Sequence, residues 1–193
     1  MRPELGSRLF GMAWLACAAL FARTAVASDS VSTTVERARS VLQVRSTILA
    51  AAPAETCYAV LSDFDHLSEF VPDMTASHVV SAPGEPIRLH QVGIASAGFF
   101  KVTIDVTFDV KENPPRRLEF ERVAGNMDQM RGSWNVTGDD GHCEMRYDAD
   151  LEPAFWVPPL IGPRLMKGQV EEQMEGLLAE IERRAAAAHA SPH

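Results

Sequence analysis

Residues 100–110 read FKVTIDVTFDV, and they divide by parity. Phe100, Val102, Ile104, Val106, Phe108 and Val110 fall on one side; Lys101, Thr103, Asp105, Thr107 and Asp109 fall on the other. A period of two held this long predicts a β-strand with one apolar and one polar face. The same pattern returns in RLEFERV (Leu118, Phe120), in MRGSWNVT (Met130, Trp134, Val136) and in CEMRYDADLE (Cys143, Met145, Tyr147, Ala149, Leu151). VLQVRSTILA (41–50), SHVVSA (77–82) and IRLHQVGIAS (87–96) bring the sheet to about seven antiparallel strands. ENPP (112–115) cannot continue a ladder, and GDDGH (138–142) predicts the turn of the last hairpin.

Two stretches change to a helical period. After Pro53, Ala54, Cys57, Tyr58, Leu61 and Phe64 recur at three and four, which predicts one helix; DFDHLSEFVPDM adds a short turn or helix that Pro72 stops. From Leu160 or Pro163 to about Ala187 the chain predicts one long helix. Met166, Val170, Met174, Leu177, Leu178 and Ile181 form its apolar stripe, with Glu171, Glu172, Glu175, Glu180 and Glu182 placed elsewhere. Residues 28–40 are polar and read as a flexible segment or a short strand. No repeat or linker divides 41–188, which reads as one domain, with 189–193 as a tail.

The N-terminus obeys a different logic. Arg2 and Arg8 precede the apolar run LFGMAWLACAALFA, and AVA at 25–27 offers small residues before Ser28. Residues 1–27 are therefore expected to be a cleaved secretory leader, as in a bacterial protein exported to the periplasm or the medium. A retained membrane anchor is the alternative, opposed by Arg23, which interrupts the run, so no stable anchor is expected after cleavage. Removing three basic residues and one acidic residue takes the net charge from −8 to −10. With no basic stripe, neither nucleic acid nor an anionic membrane surface is an expected partner.

The strand count sets a geometric problem. Seven strands at about 4.8 Å spacing make a flat sheet roughly 30 Å wide, whereas a helix is only about 10–12 Å across. The sheet must curl round the long helix, helped by Gly93, Gly98 and Gly132. Its concave side is then either filled with side chains or left as a pocket. Met130, Met145, Met166 and Met174 suit an adaptable pocket lining, and also an ordinary core.

In this order the residues resemble the helix-grip, START-like (SRPBCC) superfamily, in its polyketide cyclase/dehydrase and coenzyme-Q-binding-like branch. The resemblance lies in APAETCYAVLSDFDHLSEFVPDM (52–74), in GSWNV (132–136) and in FWVPPLIGPRLMKG leading into the last helix. It implies an α+β fold, a curved antiparallel sheet wrapped round a C-terminal helix, with a tunnel for lipids, quinones or polyketides. Tyr58 and Leu61 from the first helix are expected to line it, with Phe100, Val102, Ile104, Val106 and Phe108 from the longest strand. Phe120, Arg122, Met130, Trp134, Met145 and Tyr147 follow from the later strands, and Met166, Val170 and Met174 from the last helix.

Motifs for chemistry are missing: GxSxG, a P-loop, HExxH and CxxC do not occur, and the histidines lie on separate elements. No catalytic residue, metal or cofactor is therefore assigned, and the expected partner is a hydrophobic small molecule that is bound and carried. The alternative is a cyclase, aromatase or dehydratase using Tyr58, Tyr147 or Arg122 as acid or electrostatic stabiliser. Two cysteines remain after the leader, Cys57 and Cys143. The resemblance makes the strand at 41–50 a neighbour of the last one, which brings Cys143 near the start of the helix bearing Cys57. They either pair, adding about 4 kcal/mol of stability in the chain-entropy model, or stay buried thiols, since helix and sheet usually stand about 10 Å apart.

Overall fold

The curved sheet is real and one strand wider than expected. The computed structural model describes residues 30–97, 100–157 and 161–190. Its strands are β1 (Val31–Ala38), β2 (Val41–Ala50), β3 (Met74–Val79), β4 (Ile87–Ala97), β5 (Phe100–Asn113), β6 (Arg117–Gly125), β7 (Met127–Gly138) and β8 (Cys143–Pro153). They form one antiparallel sheet in the order β1-β2-β8-β7-β6-β5-β4-β3. Between β2 and β3 lie α1 (Ala54–Leu61), a 3₁₀ turn at Phe64–His66 and α2 (Leu67–Phe70); α3 (Gly162–Ala190) follows the sheet. The leader expected at 1–27 and the tail end at 191–193 lie outside the described residues.

The eighth strand is β1, in the segment that read as flexible or a short strand. It pairs with β2 from Val31 opposite Ile48 to Ala38 opposite Val41. Its alternation is hard to see because an inward position carries Thr33, which is buried. The Thr33 hydroxyl is satisfied by the Ser46 hydroxyl at 2.8 Å, so a polar residue sits where the pattern leads one to seek an apolar one.

Curvature has a local cause at Gly132. A Cβ there would lie 2.3 Å from the Asp148 carbonyl oxygen and 2.8 Å from Cζ of Phe120, so only glycine lets the strand fold inward at this point. Gly93 was expected to act likewise, and a Cβ there would stand 3.2 Å from the Asp73 carbonyl oxygen; Gly98 lies outside the described residues. Inside the curl, α3 buries Val170, Met174, Leu177, Ile181 and Ala185. Its stripe follows the 3.6-residue period, with one exception: Glu180, expected outside, is buried.

Two close approaches fix the helices. Cys57 and Cys143 form a disulfide with a Cα–Cα distance of 6.7 Å. The usual helix-to-sheet spacing does not apply here, because α1 starts only a few residues after β2 ends. Ala50 pairs directly with Cys143, and the Ala54 amide donates to the Asp139 carbonyl at 3.1 Å, so the first turn of α1 lies against the sheet's end. On α3, a Cβ at Gly176 would lie 2.4 Å from the Phe70 carbonyl oxygen, so glycine is what allows α2 and the Pro72 turn to sit on the helix.

Both contacts generate expectations. Thiol titration of denatured, unreduced protein lacking residues 1–27 should find no free thiol, and Cys57→Ala with Cys143→Ala should lower stability by about 2–5 kcal/mol in denaturant titration. Gly176→Ala improves helix propensity by about 1 kcal/mol, yet it should destabilise the protein by about 1–3 kcal/mol, because the neighbouring atom is backbone. A stabilised Gly176→Ala protein would show that α2 does not pack on α3 as described.

Candidate functional site: an apolar cavity under the C-terminal helix

The curl is wider than α3 can fill. Between the sheet and the N-terminal half of α3 a cavity of about 440 Å³ remains, within the range of small-molecule sites. Strand parity supplies one wall with Val102, Ile104, Val106 and Phe108 from β5, Phe120 from β6, Met130 and Trp134 from β7, and Tyr147 from β8. Leu61 of α1 and Met166, Val170 and Met174 of α3 supply the other. Trp156 lines the space and is also 77% exposed.

Three expected lining residues stand apart from this group, and a fourth is not described. The Phe100 side chain lies outside the described residues. Met145 is fully buried between its ladder neighbours Ile48 and Val136, in the part of the sheet that core side chains fill solidly. Tyr58 turns aside to donate its hydroxyl to Glu112 at 2.9 Å, and burial followed by that hydrogen bond pushes its phenol pKa up. Arg122 keeps the inward parity, with Phe108 opposite it, but the β5–β6 register slips immediately after it, at Val123, and Arg122 does not line the cavity. The Arg122 guanidinium then donates to the Gly125 carbonyl at 2.9 Å across its own hairpin.

Sequence reasoning missed the lining from Phe64, Leu67 and Val71, and from Leu89 and Gln91 of β4. It also missed Gln169 and Gln173, although their place beside Met166, Val170 and Met174 was a usable signal. Gln169 donates to Asp73 at 3.1 Å and to the Ile94 carbonyl, and so ties α3 to the far edge of the sheet.

No Asp, Glu, Lys, Arg or His occurs among the described residues lining the cavity. Nor do the described residues hold a cluster of His, Cys, Asp and Glu suited to a metal ion. His66, His90 and His78 each face a different aspartate, respectively Asp63 at 2.6 Å, Asp105 at 3.0 Å and Asp65 at 3.9 Å. Tyr147 brings a hydroxyl into the cavity, and burial pushes its pKa up, which keeps it protonated at neutral pH.

Charge collects instead behind α3. Glu180 accepts two hydrogen bonds from Arg183, both at 2.7 Å, and one from Arg184 at 2.6 Å. Arg184 also donates to Asp63 at 2.6 Å and lies 5.7 Å from the Phe70 ring centre, so it joins α3 to the turn after α1. The Arg183 hydrogen bond leads in lowering the Glu180 pKa, from 4.5 to about 2, with Arg184 adding to it against the opposing effect of burial.

The comparisons agree with this geometry. Residues 50–177 match the family model described as polyketide cyclase / dehydrase and lipid transport. No curated protein matches the chain significantly. Among solved structures, a STAR-related lipid transfer protein from Xanthomonas axonopodis is 15% identical with a TM-score of 0.63, over 80% of this chain and 95% of that one. A START superfamily protein from Mycobacterium smegmatis gives 18% and 0.62 over 74% and 98%, and a Streptomyces aromatase/cyclase gives 18% and 0.61 over 78% and 99%. These likenesses establish the helix-grip fold.

The charged cluster carries a pH dependence of known sign. A carboxylate held below its ordinary pKa contributes stability above about 4.5 and loses it as pH falls toward about 2. Denaturation midpoints measured from pH 6 down to pH 2 should therefore fall less steeply for Glu180→Gln than for the unchanged protein. Parallel curves would remove Glu180 from the account.

Proposed function

The chain belongs to the polyketide cyclase/dehydrase and lipid-transport family, and on that premise we propose that it is an exported carrier. Its ligand is a hydrophobic small molecule, lipid-, quinone- or polyketide-like, held between sheet and C-terminal helix without turnover. The observation that carries this reading is the cavity of about 440 Å³ lined by uncharged side chains. Apolar surface of that extent is stabilised by an apolar occupant, at roughly 25 cal/mol per Å² removed from water. Carriage is favoured over cyclisation because two of the three groups a cyclase would use are engaged elsewhere: Tyr58 with Glu112, and Arg122 with its own hairpin. Export is supported by the leader-like pattern of residues 1–27, and by a disulfide in a protein that would mature in an oxidising compartment. No helix among the described residues is long and apolar enough to cross a membrane, so after cleavage the carrier would have no helical anchor in them.

Native mass spectrometry of protein taken directly from expressing cells should show a bound species of a few hundred daltons that organic solvent removes. Ile104→Trp, placed where a partly exposed side chain faces the cavity, should fill the space and reduce uptake of a lipophilic dye at least tenfold while the fold persists by circular dichroism. A protein that is empty from every source and takes up no dye is not a carrier.

A further inference from the structure

The cavity wall is aromatic in an ordered way. Phe108, Phe120, Trp134 and Tyr147 come from four neighbouring strands and touch in sequence. Phe108 meets Phe120 edge-on at 5.3 Å between ring centres, Phe120 stacks on Tyr147 at 6.0 Å with an interplanar angle of 11°, and Tyr147 tilts against Trp134 at 4.7 Å. Phe120 and Tyr147 stand on β6 and β8 with β7 between them. Gly132 is the β7 residue paired with Phe120, and a Cβ there would strike Phe120, so its missing side chain is what lets the two rings meet.

The wall also holds two unanswered donors. Among the described residues the Tyr147 hydroxyl has no hydrogen-bond partner, and neither does the indole N–H of Trp134, whose side chain is only 8% exposed. Neither atom is sealed from the cavity: the sealed, unpartnered side-chain atom among the described residues is Arg122 Nε. Buried Tyr and Trp normally place these groups on an acceptor. Here the acceptor must come from what enters the cavity, a water in its absence. Raised pKa keeps the Tyr147 phenol a donor, and the indole N–H can only donate.

We propose that Trp134 and Tyr147 form a recognition site for the oxygen acceptor of an uncharged, flat-ringed ligand, such as a quinone or an aryl ketone. This inference rests on the carrier reading and narrows it. Two unpartnered donors on neighbouring rings call for an acceptor oxygen, which a carbonyl supplies, while the amide groups of the lining, Gln91, Gln169 and Gln173, come from β4 and α3. The stacked rings supply a flat apolar face for a second ring system. A fatty acid is disfavoured at this site, because its carboxylate would meet no cation among the described lining residues, and an unpaired buried charge is heavily penalised.

The test compares two probes of one shape, menadione and 2-methylnaphthalene, which differ by the two ring carbonyls. Each displaces the uncharged dye N-phenyl-1-naphthylamine from the purified protein, with palmitate as the third competitor. Menadione should displace the dye and palmitate should not compete at equal concentration. Tyr147→Phe, which keeps ring and volume, should lower the menadione-to-methylnaphthalene affinity ratio about five- to tenfold, the range expected for one lost hydrogen bond. Trp134→Phe in the same background should lower it further, with circular dichroism checking the fold. An unchanged ratio in Tyr147→Phe, or palmitate binding more tightly than menadione, overturns the inference and leaves the carrier reading standing. Failure of the unchanged protein to bind dye or any competitor overturns both.

Discussion

An eight-stranded sheet with one apolar face offers more surface than a single helix can cover, and the rest of this structure follows from that mismatch. The sheet relieves it by curling, and α3 occupies the curl along Val170, Met174, Leu177 and Ile181. Under the C-terminal half of α3, and beside α1, side chains such as Ile48, Val136 and Met145 close the space completely. Under the N-terminal half, side chains of β4–β8 and α3 border a space they do not fill, and the cavity is what remains. Solid core and binding space are thus two ends of one packing problem.

A curl that holds a void needs fastening from outside the void, since the void contributes no packing of its own. The fasteners are of different kinds. The Cys57–Cys143 disulfide locks α1 to the end of the sheet, and Gly176 admits α2 onto α3. Arg184 links Glu180 on α3 to Asp63 after α1, while Gln169 ties the front of α3 to Asp73 and the Ile94 carbonyl at the opposite edge. All of them act on the helices, so α3 is held over the cavity without filling it.

The cavity's chemistry follows from what the wall omits as much as from what it contains. Uncharged lining makes a medium of low polarity, in which each hydrogen-bonding group weighs more than it would in water. On the proposed reading, two donors set in such a wall would discriminate among apolar ligands otherwise interchangeable by size. The charged residues are excluded to the rear of α3 and to the outer face of the sheet, where Arg45–Asp148 and Arg131–Asp150 pair across strands in solvent. That separation keeps the cavity neutral although the chain carries a net charge of −8.

Local periodicity determined a great deal of this protein on its own. Parity along 100–110 and in the later strands placed Val102 to Phe108, Phe120, Trp134 and Tyr147 on the inner face, and the spacing of Met166, Val170 and Met174 placed the helix against them. A side chain's direction depends on its neighbours one and two positions away, so short-range pattern is enough to read it. The tertiary structure decided what lies opposite each of those positions. Arg122 kept the face that parity assigned to it, opposite Phe108, but turned its guanidinium to the Gly125 carbonyl of its own hairpin; a hydrogen bond to Glu112 drew Tyr58 aside; and three converging arginine and histidine partners hold the buried Glu180 and the half-buried Asp63 as anions. Whether Met145 would pack solidly while Met130 bordered open space depended on the distance between the sheet and the α3 axis. That distance is set by curvature accumulated over eight strands, and no stretch of ten residues contains it.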